Sequence, residues 1–154
     1  MKIGVISDTH GFLDPRIEKV FVGVDHILHG GDVGPHSLLV ELELIAPVTA
    51  VLGNTDAGIN LRLTEIKLLA GRKFLVQHIV NPHALDDDLE ALLADEKPEV
   101  VIFGHTHKPF CETLGGILFF NPGYAGKQRF DLARSVAILH CDDRGIRHKF
   151  VTLD

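Results

Sequence analysis

The chain has 154 residues, a length suited to one domain (1–154) with its own core, and its 45% hydrophobic and 23% charged residues are ordinary for a globular protein. A net charge of −6 excludes a protein that lives on nucleic-acid phosphates, which would need a basic face. No apolar run approaches a membrane span, and Asp8 comes too early for a secretory leader, so a cytoplasmic protein is expected.

Cys111 and Cys141 form no CxxC pair and read as reduced, buried thiols. The ten histidines are the one compositional oddity. Residues 2–7 read as a short apolar strand that ends at Asp8-Thr9-His10-Gly11. Asp8 and His10 lie two apart, so both can face one point. Asp14 before Pro15 suits a helix start, and residues 13–22 predict an amphipathic helix. A second strand over 26–29 leads into Gly30-Gly31-Asp32, where paired glycines allow a close backbone approach before one carboxylate is presented. A helix over 38–45 follows, started near Pro35 and closed by Pro47. The third strand, 48–52, ends at Gly53-Asn54-Thr55-Asp56.

From Asp8 to Asp32 is 24 residues and from Asp32 to Asn54 is 22. Both spacings match a strand–helix–strand repeat. Right-handed crossovers would set these strands parallel, with their carboxyl ends on one edge. Residues 64–69 and 73–77 predict a hairpin that ends on His78. A helix over 84–94 carries Asp86, Asp87 and Asp88 near its favourable N-terminus. The apolar run 100–103 then delivers Gly104-His105-Thr106-His107, again with two imidazoles at i and i+2. Two further hairpins, 111–121 and 135–152, are separated by the loop Asn121-Pro122-Gly123.

Taken singly, each of these polar groups has an ordinary explanation: a helix cap, a glycine turn, a polar strand end, a surface histidine pair. Together they place metal-ligand residue types at the ends of five apolar runs. In open α/β sheets, sites form outside the carboxyl ends of strands. The inventory is two carboxylates (Asp8, Asp32), one amide oxygen (Asn54) and four imidazoles (His10, His78, His105, His107). Seven mixed donors exceed the needs of one ion and suit two that share a carboxylate. Imidazole with oxygen donors suits Mn, Fe, Co, Ni or Zn better than Mg or Ca. Two divalent ions facing two carboxylates leave the site net positive and open to an anion. Two metals ~3.5–4 Å apart are suited to in-line displacement at phosphorus.

At this point the residues resemble the calcineurin-like metallophosphoesterase family. The match is Asp8-x-His10, Gly31-Asp32, Gly53-Asn54, His78 and Gly104-His105-Thr106-His107, in the family's order and spanning essentially the whole chain. The small size, Gly-Asn-Thr-Asp and Asn-Pro-Gly look most like its single-domain bacterial and archaeal phosphodiesterases. The resemblance implies two β-sheets packed as a sandwich and flanked by helices, a four-layer α/β/β/α fold. It implies one metal held by Asp8, His10, Asp32 and His107, and a second held by Asp32, Asn54, His78 and His105, with Asp32 bridging. Manganese is the expected metal. A hydroxide held between the metals would attack phosphorus, and Asn54 would help stabilise the phosphoryl oxygens. Asp32, Asn54 and His105 are therefore the expected catalytic residues, and Asn54 with Thr55 would contact substrate. Three departures stand out: Ile79-Val80 where the family often has Gly-His, Tyr124 where Ser usually follows Asn-Pro-Gly, and Thr55 where His or Cys often follows Gly-Asn.

The expected function is a metal-dependent phosphodiesterase acting on a small or activated phosphate ester. No membrane partner and no strong nucleic-acid binding are expected, and self-association into a homo-oligomer is left open. The alternative is an interaction scaffold similar to the small retromer sorting subunit, which resembles the same family. A repair nuclease would need a capping domain and a basic surface that this chain lacks. Thr55 is a poor proton donor, which leaves His29 as a side-chain candidate for general acid.

Overall fold

Alternation along the strands sets the layers. In β1 (Lys2–Ile6) Ile3 and Val5 point to one side, while Ile6 points to the other. The computed structural model describes all residues, Met1–Asp154. The order continues with α1 (Ile17–Val20), β2 (His26–His29), α2 (His36–Glu43), β3 (Val48–Ala50), β4 (Thr64–Leu69) and β5 (Arg72–Gln77). Then come α3 (Asp87–Glu96), β6 (Val100–Ile102), β7 (Phe110–Leu114), β8 (Ile117–Asn121), β9 (Ser135–Asp142) and β10 (Gly145–Thr152).

The strands form two five-stranded sheets, ordered β10-β9-β1-β2-β3 and β4-β5-β6-β8-β7. Each contains three parallel strands, β1-β2-β3 and β5-β6-β8, with antiparallel hairpin strands alongside. Ile3 and Val5 meet Phe74, Val76 and Phe120 of the other sheet in a dry layer between the two. The outer face of the first sheet, including Ile6, Ile27 and Ile138, is covered by Phe21 and by Leu38, Leu39 and Leu42 of α2. Leu75, Val101 and Phe119 of the second sheet pack under Leu89 and Leu93 of α3. Burying each such side chain contributes about 1.5–3 kcal/mol. The result is the expected four-layer α/β/β/α sandwich. No helix is long and apolar enough to cross a membrane.

Register then levels the strand ends. Ile6 pairs with His29, and His29 with Ala50, so the loops after β1, β2 and β3 leave from one edge. Val76 pairs with Ile102, which brings His78 and the Gly104–His107 loop out together.

Local readings shift at several ends. The chain beyond β1 goes on pairing with its neighbour, His10 N–H donating to Asp32 O at 2.9 Å and Gly11 N–H to Val33 O at 2.9 Å, and the helix expected over 13–22 shrinks to Ile17–Val20. Asp14 does not cap that helix. Its carboxylate is gripped by the Arg16 guanidinium (2.7 and 2.9 Å) and by Arg134 (2.8 Å). The helix α3 starts later than expected, at Asp87, because Asp86 Oδ1 accepts the Leu89 N–H at 2.8 Å as its N-cap. Cys141 is buried as expected, whereas Cys111 is only half-buried, and both thiols are free.

Arg134, 2% exposed, clamps three loops. It donates to Gly126 O (2.7 Å), to Asp14 and to Leu153 O (3.4 Å), and lies 5.7 Å from the Phe12 ring centre. The Arg16 guanidinium, with Arg134 behind it, outweighs burial and holds the Asp14 carboxyl well below the usual carboxylate range. Arg134→Ala leaves Asp14 its Arg16 partner but strips the buried Gly126 and Leu153 carbonyls of their donor, and a buried polar group left unsatisfied costs about 1–3 kcal/mol. Arg134→Ala should therefore lose stability of that order or more. Arg16→Ala, at the exposed end of the cluster, should lose far less. Urea unfolding followed by circular dichroism measures both.

Candidate metal centre

All seven residues singled out in the sequence converge at the shared edge of the two sheets. Their polar atoms form a continuous chain. His107 Nε2 lies 3.2 Å from Asp8 Oδ1, and that oxygen is 3.8 Å from His10 Nε2. His10 Nε2 is 3.7 Å from Asp32 Oδ2, which is 3.2 Å from His78 Nε2. Asn54 Oδ1 then sits 2.9 Å from His78 Nε2 and 3.0 Å from His105 Nδ1. The carboxylates Asp8 and Asp32 and the His78 ring are buried, while His10 and His107 are half-buried and Asn54 and His105 line the mouth.

The backbone is bent to make this happen. Seven non-glycine residues have positive φ, and five of them are Asp8 (57°), His10 (48°), Asp32 (54°), His105 (71°) and His107 (62°). This left-handed conformation costs an L residue of order 1–3 kcal/mol and tends to cluster at functional sites. Asp and His tolerate it better than most residues. Glycine makes the approach close. A Cβ on Gly104 would collide with Ser7 Oγ and the Asp8 carboxylate, and one on Gly53 with the backbone and carboxylate of Asp32.

Hydrogen bonds aim each donor. Ser7 Oγ donates to Asp8 Oδ2 at 2.7 Å and the His105 N–H to the same oxygen at 3.1 Å, which leaves Asp8 Oδ1 turned into the cluster. The Thr55 N–H donates to Asp32 Oδ1 at 2.9 Å, which leaves Oδ2 inward. Burial raises the Asp32 pKa, but the Thr55 N–H and the nearby imidazoles outweigh it, and the carboxyl sits below its ordinary value. His78 Nδ1 lies 2.8 Å from the Gly30 carbonyl, to which it donates. Its Nε2 then faces two oxygens, Asn54 Oδ1 at 2.9 Å and Asp32 Oδ2 at 3.2 Å, the side on which a metal-binding imidazole would present its lone pair.

Acceptors that converge without a hydrogen between them repel one another unless a cation joins them. Asp8 Oδ1 and His10 Nε2 are buried and have no hydrogen-bond partner. Asp8, His10 and His107 bring one ligand atom each within 4.8 Å of one another, and so do Asp8, Asp32 and His78. The mixed oxygen and imidazole donors suit divalent transition metals, and the residues present fit a metal site.

The sequence of residues 1–144 matches the calcineurin-like phosphoesterase superfamily domain. The chain belongs to that superfamily. It is 37% identical over 151 residues to a protein of Methanocaldococcus jannaschii named a probable metallophosphoesterase, covering 94% of this chain and 78% of that one. It is 32% identical over 152 residues to the Escherichia coli phosphodiesterase YfcE, covering 80% and 78%. Among solved structures, a single-residue variant of Vps29 from Entamoeba histolytica superposes over 100% of both chains with a TM-score of 0.78 at 21% identity, a likeness of fold.

Several residues of this calcineurin-like phosphoesterase had no role assigned from sequence. Asp56 accepts the N–H groups of Val33 (3.1 Å), Gly34 (3.0 Å) and Gly53 (2.9 Å), and so ties the loop after β2 to the loop after β3. Its nearness to Gly53 in a turn sequence was the only signal. Buried Asn121 donates to Gly104 O (3.0 Å) and Thr106 Oγ1 (3.2 Å), which makes the Asn-Pro-Gly element the brace of the histidine loop. The Tyr124 ring is buried 4.8 Å from the His107 ring and 6.2 Å from that of His10, and packs behind both. His83 stays outside the cluster, exposed and 3.5 Å from Glu112.

His29 corrects the sequence reading. It is fully buried beneath the loops and does not reach the cleft. Nδ1 accepts the Gly31 N–H at 3.1 Å, so the proton sits on Nε2 and is donated to Thr9 Oγ1 at 2.9 Å, whose hydroxyl passes on to Val33 O at 2.8 Å. Burial pushes its pKa down to about 3, so the ring is neutral and is no general acid. The linkage has a definite sign. The unfolded chain binds a proton at His29 below about pH 6.5 and the native chain does not, so stability falls as pH drops from 6.5 toward 3. The slope is up to about 1.4 kcal/mol per pH unit. His29→Gln, which keeps a donor toward Thr9, should show a shallower decline by about one proton. Urea unfolding of metal-free protein at a series of pH values measures the difference.

Proposed function

We propose that the protein is a metal-dependent phosphodiesterase hydrolysing a small or activated phosphate ester. One observation carries this reading: a chain of aimed oxygen and imidazole donors, with Asp8 Oδ1 and His10 Nε2 buried and without a hydrogen-bond partner, at the mouth of a cleft in a fold whose relatives are named phosphodiesterases. Asp8, His10, Asp32 and His107 would hold one ion, and Asp32, Asn54, His78 and His105 the other. Asp32 would be the shared ligand: its Oδ2 lies 3.7 Å from His10 Nε2 and 3.2 Å from His78 Nε2, nearer to both than Asp8 Oδ1 at 3.8 and 3.9 Å. Manganese is the metal we expect, by donor type. When bound, such a pair lowers the pKa of a water and neutralises charge growing on phosphoryl oxygens.

The protein's own residues do the rest. Asn54 turns its oxygen inward, which leaves its amide N–H groups at the mouth to donate to a phosphoryl oxygen. Thr55, exposed beside it, offers a hydroxyl to orient a second oxygen while its backbone holds Asp32. His105 flanks the same mouth. In the net reaction a P–O bond forms to water's oxygen, the opposite ester bond breaks, and the departing alcohol takes up water's proton. Two free thiols fit a reducing compartment, and we place the protein in the cytoplasm.

Chelator-treated protein should lose turnover of bis(p-nitrophenyl) phosphate and regain it with Mn. Asp32→Asn should lose metal from both positions and drop kcat by ~10²-fold or more, whereas Asp8→Asn should deplete mainly one. Metal content by mass spectrometry, read beside kcat, decides. Metal bound without turnover of any ester would favour the scaffold reading instead.

A positioned general acid contributes ~10²–10⁴-fold. The Thr55 hydroxyl is too weak an acid to serve, and His29 is walled off from the cleft. Aryl esters, whose leaving groups need no proton, should turn over well, and kcat/KM should fall steeply as leaving-group pKa rises. A shallow dependence across a phenol-to-alcohol series would show that another acid is present.

A further inference from the structure

Two clefts open on the metal centre, one on each side of Ile79. The first, about 400 Å³, has Asn54 and His78 in its wall, with Leu52, Leu63, Ile79, Leu89 and Leu92 as its apolar lining and Thr64 and Gln77 as its neutral polar one. Its charged lining residues are Asp86 and Asp88, with no lysine or arginine among them. The second, about 500 Å³, has His105 in its wall and carries Lys108, Asn81 and His83, with Phe103 and Phe110 behind. Ile79 lines both and is 51% exposed. It stands one residue after the candidate ligand His78, on the ridge between them.

A phosphodiester has two ester groups on one phosphorus. Each cleft shares a wall with a donor of the centre, so a phosphorus held there directs one group into each. The geometry points to an asymmetric diester as substrate, with an uncharged apolar ester group in the Leu52–Leu63–Leu92 cleft and a polar, anionic ester group in the Lys108 cleft. The first cleft gains by removing apolar surface from water, and its two carboxylates repel an anion. The second offers the Lys108 ammonium to an anion and the half-buried Phe110 ring to an apolar part of the same group. Ile79, the side chain common to both walls, is the specificity-determining residue that separates the two. This inference rests on the phosphodiesterase reading for the centre and names its substrate class.

The probes are methylalkylphosphinates, singly charged diester mimics with two P–C bonds that cannot be hydrolysed. They are titrated into Mn-free, Zn-loaded, ¹⁵N-labelled protein, so that binding is read without turnover. Lengthening the alkyl group from methyl to butyl should tighten Kd about fourfold per methylene. The amide shifts should spread over Leu63, Leu89 and Leu92 rather than Phe110. In Leu63→Asp, at a position 67% exposed and therefore safe for folding, the gain per methylene should fall to nearly nothing. Ile79→Asp should do the same. A methyl(2-carboxyethyl)phosphinate should instead shift Lys108 and Phe110 and bind at least fivefold more weakly to Lys108→Glu. No dependence on chain length, no binding at all, or a slope unchanged in both aspartate variants would overturn the assignment. Loss of the phosphodiesterase reading shows separately, as absence of Mn-dependent turnover of bis(p-nitrophenyl) phosphate.

Discussion

Oxygen and imidazole lone pairs gathered in one small volume repel unless a proton or a cation joins them, and the centre of this protein is built from such a convergence. Asp8 Oδ1, Asp32 Oδ2, Asn54 Oδ1 and four imidazoles all point at one small volume. Without cations the arrangement is unfavourable, so the rest of the molecule must impose it. It does so with the stiffest element available, two parallel strand triplets whose registers level their carboxyl ends. The left-handed backbone at five of the donors records how far the loops are bent toward that point.

What holds the loops is mostly polar and mostly remote in sequence. The Asp56 carboxylate gathers three N–H groups from two loops. Asn121 braces the histidine loop from the end of β8. Arg134 pins the loop after β1 to the C-terminal strands through Asp14. Asn121 and Arg134 are buried, Asp56 is half-buried, and all three are satisfied, which is the condition under which polar networks add rigidity. They also explain why the shortened α1 does no harm. In the segment that would have been its first turn, Asp14 is spent on the Arg134 clamp.

The departures from the family pattern fall into two kinds. Tyr124 is structural, a buried ring behind His10 and His107 with its hydroxyl donating to Lys127 O at 2.8 Å. Ile79 and Thr55 lie at the mouth, where they change what the cleft offers a substrate and leave the donors untouched. Likeness to Vps29 structures, at 21% identity, speaks to the sandwich and not to either reading of function.

The amino-acid pattern alone determined the strands, the hairpins and the seven converging residues, because each donor follows an apolar run and the 24- and 22-residue spacings match crossover units. Residue type at a strand's end is local information, and so is a glycine that a turn requires. Tertiary structure decided what those donors touch. That Asp32 faces both His10 and His78, and that Asn54 lies between His78 and His105, follows from how two sheets pack. It also decided that His29, beside the site in sequence, is a buried neutral strut, because depth is set by neighbours from several loops. Asp14 looked like a helix cap until a residue 120 positions away claimed its carboxylate. Such long-range pairings leave no periodic trace in the chain, and only the folded arrangement of the layers brings the partners within reach.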